Sequence, residues 1–347
     1  MGGVQQEDVQ PRDVQPEELQ PAAPLPAALA AHLAEVLPAD RLAAAQQARR
    51  LAVRVNGLRA DAARAHVVAA LATVGVRARP VEWMPDALAV ERGAVREIQA
   101  CPLHAAGAIH IQSLASMAVG HALAPRPGSQ VLDMCAAPGS KTSHLAALLG
   151  NRGRLVAADA SRARLFRLRE VLRHLGAEAQ VLMERAERWG RRAPCGFDSV
   201  LVDAPCSAEG RALAGDADAA ADWSLRKCRR LASQQKAALH SAIEACVPGG
   251  VVVYSTCTLG PQENEAVLAR ALELYEGRVA LEALPVRIPG ALPGMLEWRG
   301  QAFPPQMALA QRVAPLSAAV HPDGPWLEGF FIARLRKVVP GTGVPTF

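Results

Sequence analysis

From residue 107 onward, short runs rich in Val and Leu alternate with stretches of helical spacing, and this alternation constrains the chain more than any other feature. QVLDM, RLVAAD, SVLVDAP and GGVVVYST are near-continuously apolar, and each closes on a polar or small residue. Strands buried on both faces read this way, and strands separated by helices pair in parallel with the helices covering the sheet. The expected fold is α/β: a Rossmann-like, mostly parallel, doubly wound sheet. In such open sheets ligands bind beyond the carboxyl ends of the strands. Chemistry is therefore expected from Asp133 to Thr142, at Asp159, from Asp203 to Cys206 and from Ser255 to Thr258.

The preceding residues read differently. Residues 1–25 carry the near-repeats EDVQP, RDVQP and EELQP, too poor in apolar side chains to offset the entropy of ordering, and a disordered tail is expected. Helical spacing from Leu25 to about Ala48 predicts two helices divided near Pro38. LAVRVN then reads as a strand, ADAARAHVVAALATVGV as a helix closed by Gly75, and VRARPVEW and ALAVE as strands. Residues 26–105 thus form a small α/β module, 106–338 the main domain and 339–347 a tail. Arg49, Arg50, Arg54, Arg59, Arg64, Arg77 and Arg79 make the module locally basic, which is either an RNA-facing surface or a solvated face.

Composition removes several classes. Among 347 residues, charges interrupt every apolar stretch before the roughly 18 residues a membrane span requires. The net charge of +5 suits a polyanionic partner, while the 4% aromatic content argues against rows of stacking side chains. Seven cysteines include no C-x-x-C pair, so neither a disulfide framework nor a zinc ribbon is expected, and no metal site is assigned. The amino-terminal 21 residues carry five acids and one Arg without an apolar core, unlike a secretory or transit peptide, which leaves the cytoplasm as the expected address.

The loop VLDMCAAPGSKTSHLAALLG joins a strand to a helix through small residues, letting backbone approach a ligand at the helix start. It lacks the G-x-G-x-x-G of dinucleotide folds, and Ser140 separates Gly139 from Lys141, which breaks the phosphate-loop pattern. Asp159 ends the next strand, where an acid accepts both hydroxyls of a ribose; the plainer alternative is a cap on the helix starting near Ser161. An adenosine-bearing cofactor without a pyrophosphate, such as S-adenosylmethionine, suits this arrangement.

DMCAAPGSKT, DAPCSAEG and YSTCTLGPQENE, in this order and spacing, resemble motifs of the RNA (cytosine-5)-methyltransferases of the Nop/Sun family, and the ending EGFFIARLRK is most similar to the bacterial 16S ribosomal RNA enzymes of the F type. The resemblance spans about residues 45–337. It implies a class I S-adenosylmethionine-dependent methyltransferase domain behind an RNA-recognition-like module. By resemblance the backbone of Cys135, Ala136, Ala137, Pro138, Gly139, Ser140 and Lys141 cradles the methionine end of the cofactor, Asp159 takes the ribose, Arg185 lies near the adenine and Asp203 near the methyl group. Lys141 holds either the cofactor carboxylate or the catalytic groups, or is a solvated lysine at a helix start. Where the family carries an acid near the adenine, Arg185 stands beside Glu184, and Ser113 stands where an acid usually follows IQ. F-type relatives commonly continue into a further RNA-binding domain, whereas this chain stops ten residues after the FFIARLRK strand. Recognition is then expected to rest on the basic module and the cleft.

C5 of cytosine is a poor nucleophile, so a covalent route first adds a thiolate at C6, creating an enamine. A carboxyl group that manages a proton at N3 and a base that removes the C5 proton complete the requirement. The resemblance makes Cys257 the nucleophile, Asp203 the N3 partner and Cys206 the group that assists release, with Lys141 beside them. DNA enzymes instead use the Cys of a Pro-Cys pair, here Pro205-Cys206, and buried cysteines are also ordinary core residues. The expected partner is small-subunit ribosomal RNA or its precursor, presented with the base out of its stack to a monomeric enzyme. Transfer RNA is the alternative substrate, and a non-catalytic ribosome-assembly factor that binds S-adenosylmethionine is the rival of a different class.

Overall fold

In a computed structural model of the chain, residues 25–45, 50–59 and 63–339 are described here. The tails read at 1–25 and 339–347 lie outside the described residues except for Leu25 and Val339, and so does Arg49. Among the described residues no helix is long and apolar enough to cross a membrane.

The chain begins with helices α1 (Ala27–Val36) and α2 (Ala39–Ala45) on either side of Pro38. Strand β1 (Ala52–Val55), helix α3 (Arg64–Thr73), strands β2 (Arg77–Val81) and β3 (Met84–Arg92), short helices α4 (Val95–Ala100) and α5 (Pro102–Ala105), and strand β4 (Ile109–Ile111) follow. The four strands form one sheet in the order β2-β3-β1-β4.

Two expectations change at this point. First, β4 pairs with β1, Val53 opposite Ile111, so the amino-terminal sheet runs six residues past the boundary read at 105. Second, α1 and α2 do not pack on that sheet. Leu29, Leu33 and Val36 share a core with Ala208, Ala212, Leu213, Trp223 and Leu259 of the main domain. Helical spacing reveals an apolar stripe but not which surface covers it.

The main domain contains α6 (Leu114–Leu123), β5 (Gln130–Asp133), α7 (Ser140–Leu149), β6 (Arg154–Asp159), α8 (Arg162–Leu175), β7 (Gln180–Met183), α9 (Trp189–Arg192) and β8 (Phe197–Asp203). It continues with α10 (Glu209–Leu213), α11 (Ala217–Ala221), α12 (Leu225–Ala245), β9 (Cys246–Thr256), α13 (Glu265–Leu274) and β10 (Val279–Glu282). The two-residue strands β11 (Leu292–Pro293), β12 (Glu297–Trp298) and β13 (Gln301–Ala302) precede β14 (Gln311–Val313) and β15 (Phe330–Lys337). The sheet order is β11-β14-β15-β9-β8-β5-β6-β7, with β10 on the other part of β15. Strands β9 to β7 pair in parallel, and β15, β14, β11 and β10 add an antiparallel edge. This is the mostly parallel, doubly wound α/β sheet that the alternation predicts, with an antiparallel edge added.

Local chemistry explains the helix ends that matter. Gly139 precedes α7 at φ +117°, and an added Cβ there would lie 3.0 Å from Leu168 and 3.2 Å from Val171. Only glycine permits that turn against α8. Ser161 and Ser224 accept the amides of Arg164 and Lys227, capping α8 and α12.

Candidate active site

Parallel pairing of β8 with β9 sets Asp203 opposite Ser255 at the carboxyl edge of the sheet, so the loops following both strands emerge together. Cys206 Sγ and Cys257 Sγ come within 3.3 Å, well beyond the ~2.05 Å of a disulfide, and both are free thiols. Asp203 is held from two sides: Ser255 donates to Oδ1 at 2.9 Å, and Lys141 Nζ lies 2.9 Å from Oδ2. With its side chain only 14% exposed, Lys141 is no solvated lysine at a helix start. The structure therefore gathers Lys141, Asp203, Cys206 and Cys257 from three separate strand ends.

Behind them, buried carboxylates fix the two loops. Glu209 accepts from Leu259 N and Gly260 N, both at 2.8 Å, and from Trp223 Nε1 at 3.0 Å, while His32 of α1 approaches it at 3.1 Å. Burial alone would raise its carboxyl, but His32 and the amides hold it down at about 2. Glu263 accepts from Ser207 N and Gln235 Nε2, and burial pushes its carboxyl up. Gly210 N donates to Cys257 O at 2.9 Å, and a Cβ on Gly210 would fall 1.9 Å from Gly329 O. A side chain there would drive the Cys257 loop off β15.

The electrostatics separate the two thiols. The hydrogen bond shared with Cys206 lowers the Cys257 value against the contrary effects of burial and Asp203, and Lys141 and Arg211 act in the lowering direction. Cys206 is pushed well up by that same bond and by burial, with Glu263 adding to the effect. Cys257 is thus the thiol that ionises first. Asp133, fully buried at the end of β5, accepts from Thr142 Oγ1 at 2.7 Å, and burial lifts its carboxyl to about 7.

Across the sheet edge, β5, β6, β8 and α12 enclose a cavity of about 230 Å³ whose lining includes Cys135, Asp159, Arg164, Arg185, Glu187 and Gln234. Of the loop residues expected to cradle a cofactor, Cys135 faces this cavity. Ala136, Ala137, Pro138, Gly139 and Ser140 continue behind it into α7, and Lys141 and Asp203 stand toward the cysteines. Asp159 is not a helix cap. Its Oδ1 accepts from Ser161 N at 2.9 Å, and Ser161 itself caps α8. Oδ2 is buried without a hydrogen bond, with Arg164 Nη1 3.1 Å away as an ion pair. An orphaned acceptor opening on a cavity of this size fits a ribose hydroxyl.

Near Arg185 two acids differ in where they face. Glu184 is taken by Arg192 and by Arg185 N, whereas Glu187 lines the cavity and draws the Arg185 guanidinium to 2.6 Å. Ser113 caps α6 through Ser116 N. Glu187, Arg164, Glu209 and Glu263 were absent from the sequence-derived site. Only Glu209 and Glu263 carried a signal, as the acids inside SAEG and QENE.

The basic module turns most of its arginines inward. Arg54 is fully buried against α7, donating to Ser143 Oγ at 2.8 Å, and burial lowers its guanidinium to about 10. Asp86 meets His121 at 2.8 Å and His144 at 2.6 Å, Arg59 donates to His174 O, and Arg79 pairs with Asp323. Arg50 and Arg79 both lie over Trp326. These side chains dock the module on the main domain, which corrects their reading as one RNA-facing surface; Arg77 remains largely exposed beside Glu91.

A family model described as 16S rRNA methyltransferase RsmB/F matches residues 120–336. Ribosomal RNA small subunit methyltransferase F of Serratia proteamaculans is 34% identical over 90% of this chain and 63% of its own length. The protein of that name from Aeromonas hydrophila is 36% identical over 90% and 64%. This chain thus spans a little over six tenths of the curated relatives it matches. Among solved structures, a methyltransferase homolog from Pyrococcus horikoshii is 31% identical with a TM-score of 0.72, over 86% of this chain and 90% of that one. NSun6 from Pyrococcus horikoshii, solved with SFG, shares the fold at 22% identity and a TM-score of 0.73, covering 90% of this chain and 98% of its own.

Proposed function

Because the chain belongs to the RsmB/F family of 16S rRNA methyltransferases, we propose that it methylates C5 of a cytosine in small-subunit ribosomal RNA, using S-adenosylmethionine and a covalent bond from Cys257 to C6. The observation that carries this reading is the pair of free thiols 3.3 Å apart beside the Lys141–Asp203 pair. S-adenosylmethionine, when bound, supplies a methyl group on a sulfonium sulfur. Cys135, Asp159 and Glu187 are the residues that would hold it, with Asp159 Oδ2 toward the ribose.

The chain's own residues account for the rest of the chemistry. Cys257, the more acidic thiol, adds to C6 as its thiolate, and the ring electrons move to make C5 nucleophilic. Asp203, held in place by Ser255 and Lys141, enters this step as the carboxylic acid, gives its proton to N3 as the Cys257–C6 bond forms and takes it back when that bond breaks, so charge does not build on the ring. After methylation the C5 proton must leave as the Cys257–C6 bond breaks, and Cys206 stands beside that bond to assist.

The test separates the thiols. With 16S rRNA transcript and cofactor, Cys257→Ala should abolish methyl transfer and form no covalent complex. Cys206→Ala should accumulate a protein–RNA adduct on denaturing gels. The reverse pattern makes Cys206 the nucleophile, and unaffected methylation in both variants sinks the covalent mechanism.

A further inference from the structure

Helix α12 is 21 residues long and runs down into β9, antiparallel to the strands. Gln235 fixes its height: Nε2 donates to Pro205 O at 2.9 Å, two residues past the end of β8. The ten residues before Gln235 therefore rise about 15 Å beyond the carboxyl edge of the sheet, on the side where the cysteines and the cavity open. Gln234, on one flank of this segment, lines the cavity.

The outer face of the same segment carries Arg226, Arg229 and Arg230, and Lys236 continues that face nearly two turns after Arg230, at the level of the sheet edge; all four are exposed. None of the four makes a hydrogen bond or ion pair among the described residues; the field of Arg230 reaches Asp222, whose carboxylate is already bound to Lys227. Local physics disfavours this placement. Arg226 repels Arg229 and Arg230 at i+3 and i+4, and Arg226 itself sits in the first turn, where the helix dipole opposes cations. The helix as a whole is not basic by repetition, since its second half carries no further Arg or Lys after Lys236. An arrangement that costs stability locally, concentrated where the helix overhangs the cleft, calls for a polyanion to complete it.

We propose that this overhanging face is the track for single-stranded RNA flanking the target cytosine, with its phosphates against Arg226, Arg229, Arg230 and Lys236. The inference rests on RNA being the substrate, and it shifts the main electrostatic contact from the amino-terminal module to α12.

The experiment compares Arg226→Gln/Arg229→Gln/Arg230→Gln with an equal charge change on α8, Arg162→Gln/Arg167→Gln/Arg169→Gln, whose side chains are also exposed. Binding is read by anisotropy of a fluorescein-labelled oligouridine, and turnover by methyl transfer to 16S rRNA transcript. The α12 variant should bind oligouridine at least tenfold more weakly. Its log–log salt dependence should flatten by about 2, three single-strand contacts at roughly 0.7 each. KM for the transcript should rise with kcat and cofactor Kd within about twofold. Unchanged oligouridine binding, or an equal loss in the α8 variant, overturns the track. Absence of methyl transfer by the unmodified protein, with oligouridine binding still dependent on α12, overturns the proposed reaction and leaves the track standing.

Discussion

The two halves of the sheet's carboxyl edge are finished to different degrees. Around β8 and β9, each carboxylate already has protein donors: Asp203 has Ser255 and Lys141, Glu209 has two amides, Trp223 and His32, and Glu263 has Ser207 and Gln235. Around β6 and β7, Asp159 keeps an unbonded buried oxygen, and the Arg185–Glu187 pair lies in the cavity wall. The first region holds its reactive groups in place before any ligand arrives, as preorganised catalysis requires. The second leaves a polar vacancy that a ligand's hydroxyl would satisfy. The same residue type, a carboxylate at a strand end, is thus a strut on one side and a receptor on the other.

The largest effect expected from this difference is on stability. Glu209→Ala strips three donors of their buried acceptor and His32 of its ion-pair partner, and should cost roughly 3–5 kcal/mol in urea unfolding, with the Cys257 loop loosened. A loss under about 1 kcal/mol would mean the strut is dispensable. Next comes Lys141→Met, expected to lower turnover about 10²–10³-fold, on the scale of losing one preorganised electrostatic contact. Because Lys141 helps hold the Cys257 thiol below its ordinary value, its removal raises that value. At a given pH below it less thiolate is present, so the alkylation profile of Cys257 should move to higher pH; an unmoved profile breaks the coupling between α7 and the thiols.

On the receptor side the pattern should invert. Asp159→Ala is expected to weaken S-adenosylmethionine binding by ~1.5–3 kcal/mol in calorimetry while costing thermal stability far less than Glu209→Ala, because one of its oxygens accepts no hydrogen bond and its ion-pair partner Arg164 is half exposed. A stability loss as large as that of Glu209→Ala would erase the distinction between the two sides. Smallest is Arg185→Ala: its guanidinium is turned to Glu187, so cofactor affinity should stay within about twofold, and a tenfold loss would show a direct contact.

Residue order revealed the strand ends and the loops but not their partners. Asp133, Asp159, Asp203 and Ser255 closed apolar runs and fell at the sheet edge, because a buried strand must stop where polarity begins. The Lys141–Asp203 pair was legible only through resemblance, as one of three readings of Lys141, since the contact depends on α7 starting beside β8, a relation of sheet order rather than sequence. Arg54 shows the opposite failure. An arginine among six others reads as surface, yet β1 presents it to Ser143 in a closed interface. Charge counting registers how many cations a segment holds and says nothing of which way each one faces.

The seating of α1 and α2 bears on how the chain is made. Arg312 donates from Nη1 to Glu265 and from Nη2 to Val36 O, a residue 276 positions earlier. At roughly 5–20 residues per second, synthesis of the intervening chain takes on the order of 15–55 s. For most of that interval, until Ala208 to Leu259 have been made, Leu29, Leu33 and Val36 lack the surface that covers them. Helices α1 and α2 are thus made long before they can be buried, and His32 reaches Glu209 only when the loops after β8 and β9 are there to receive it. Assembly closes α1 and α2 onto elements made much later, and holdase chaperones that shelter nascent apolar segments should engage them in the meantime.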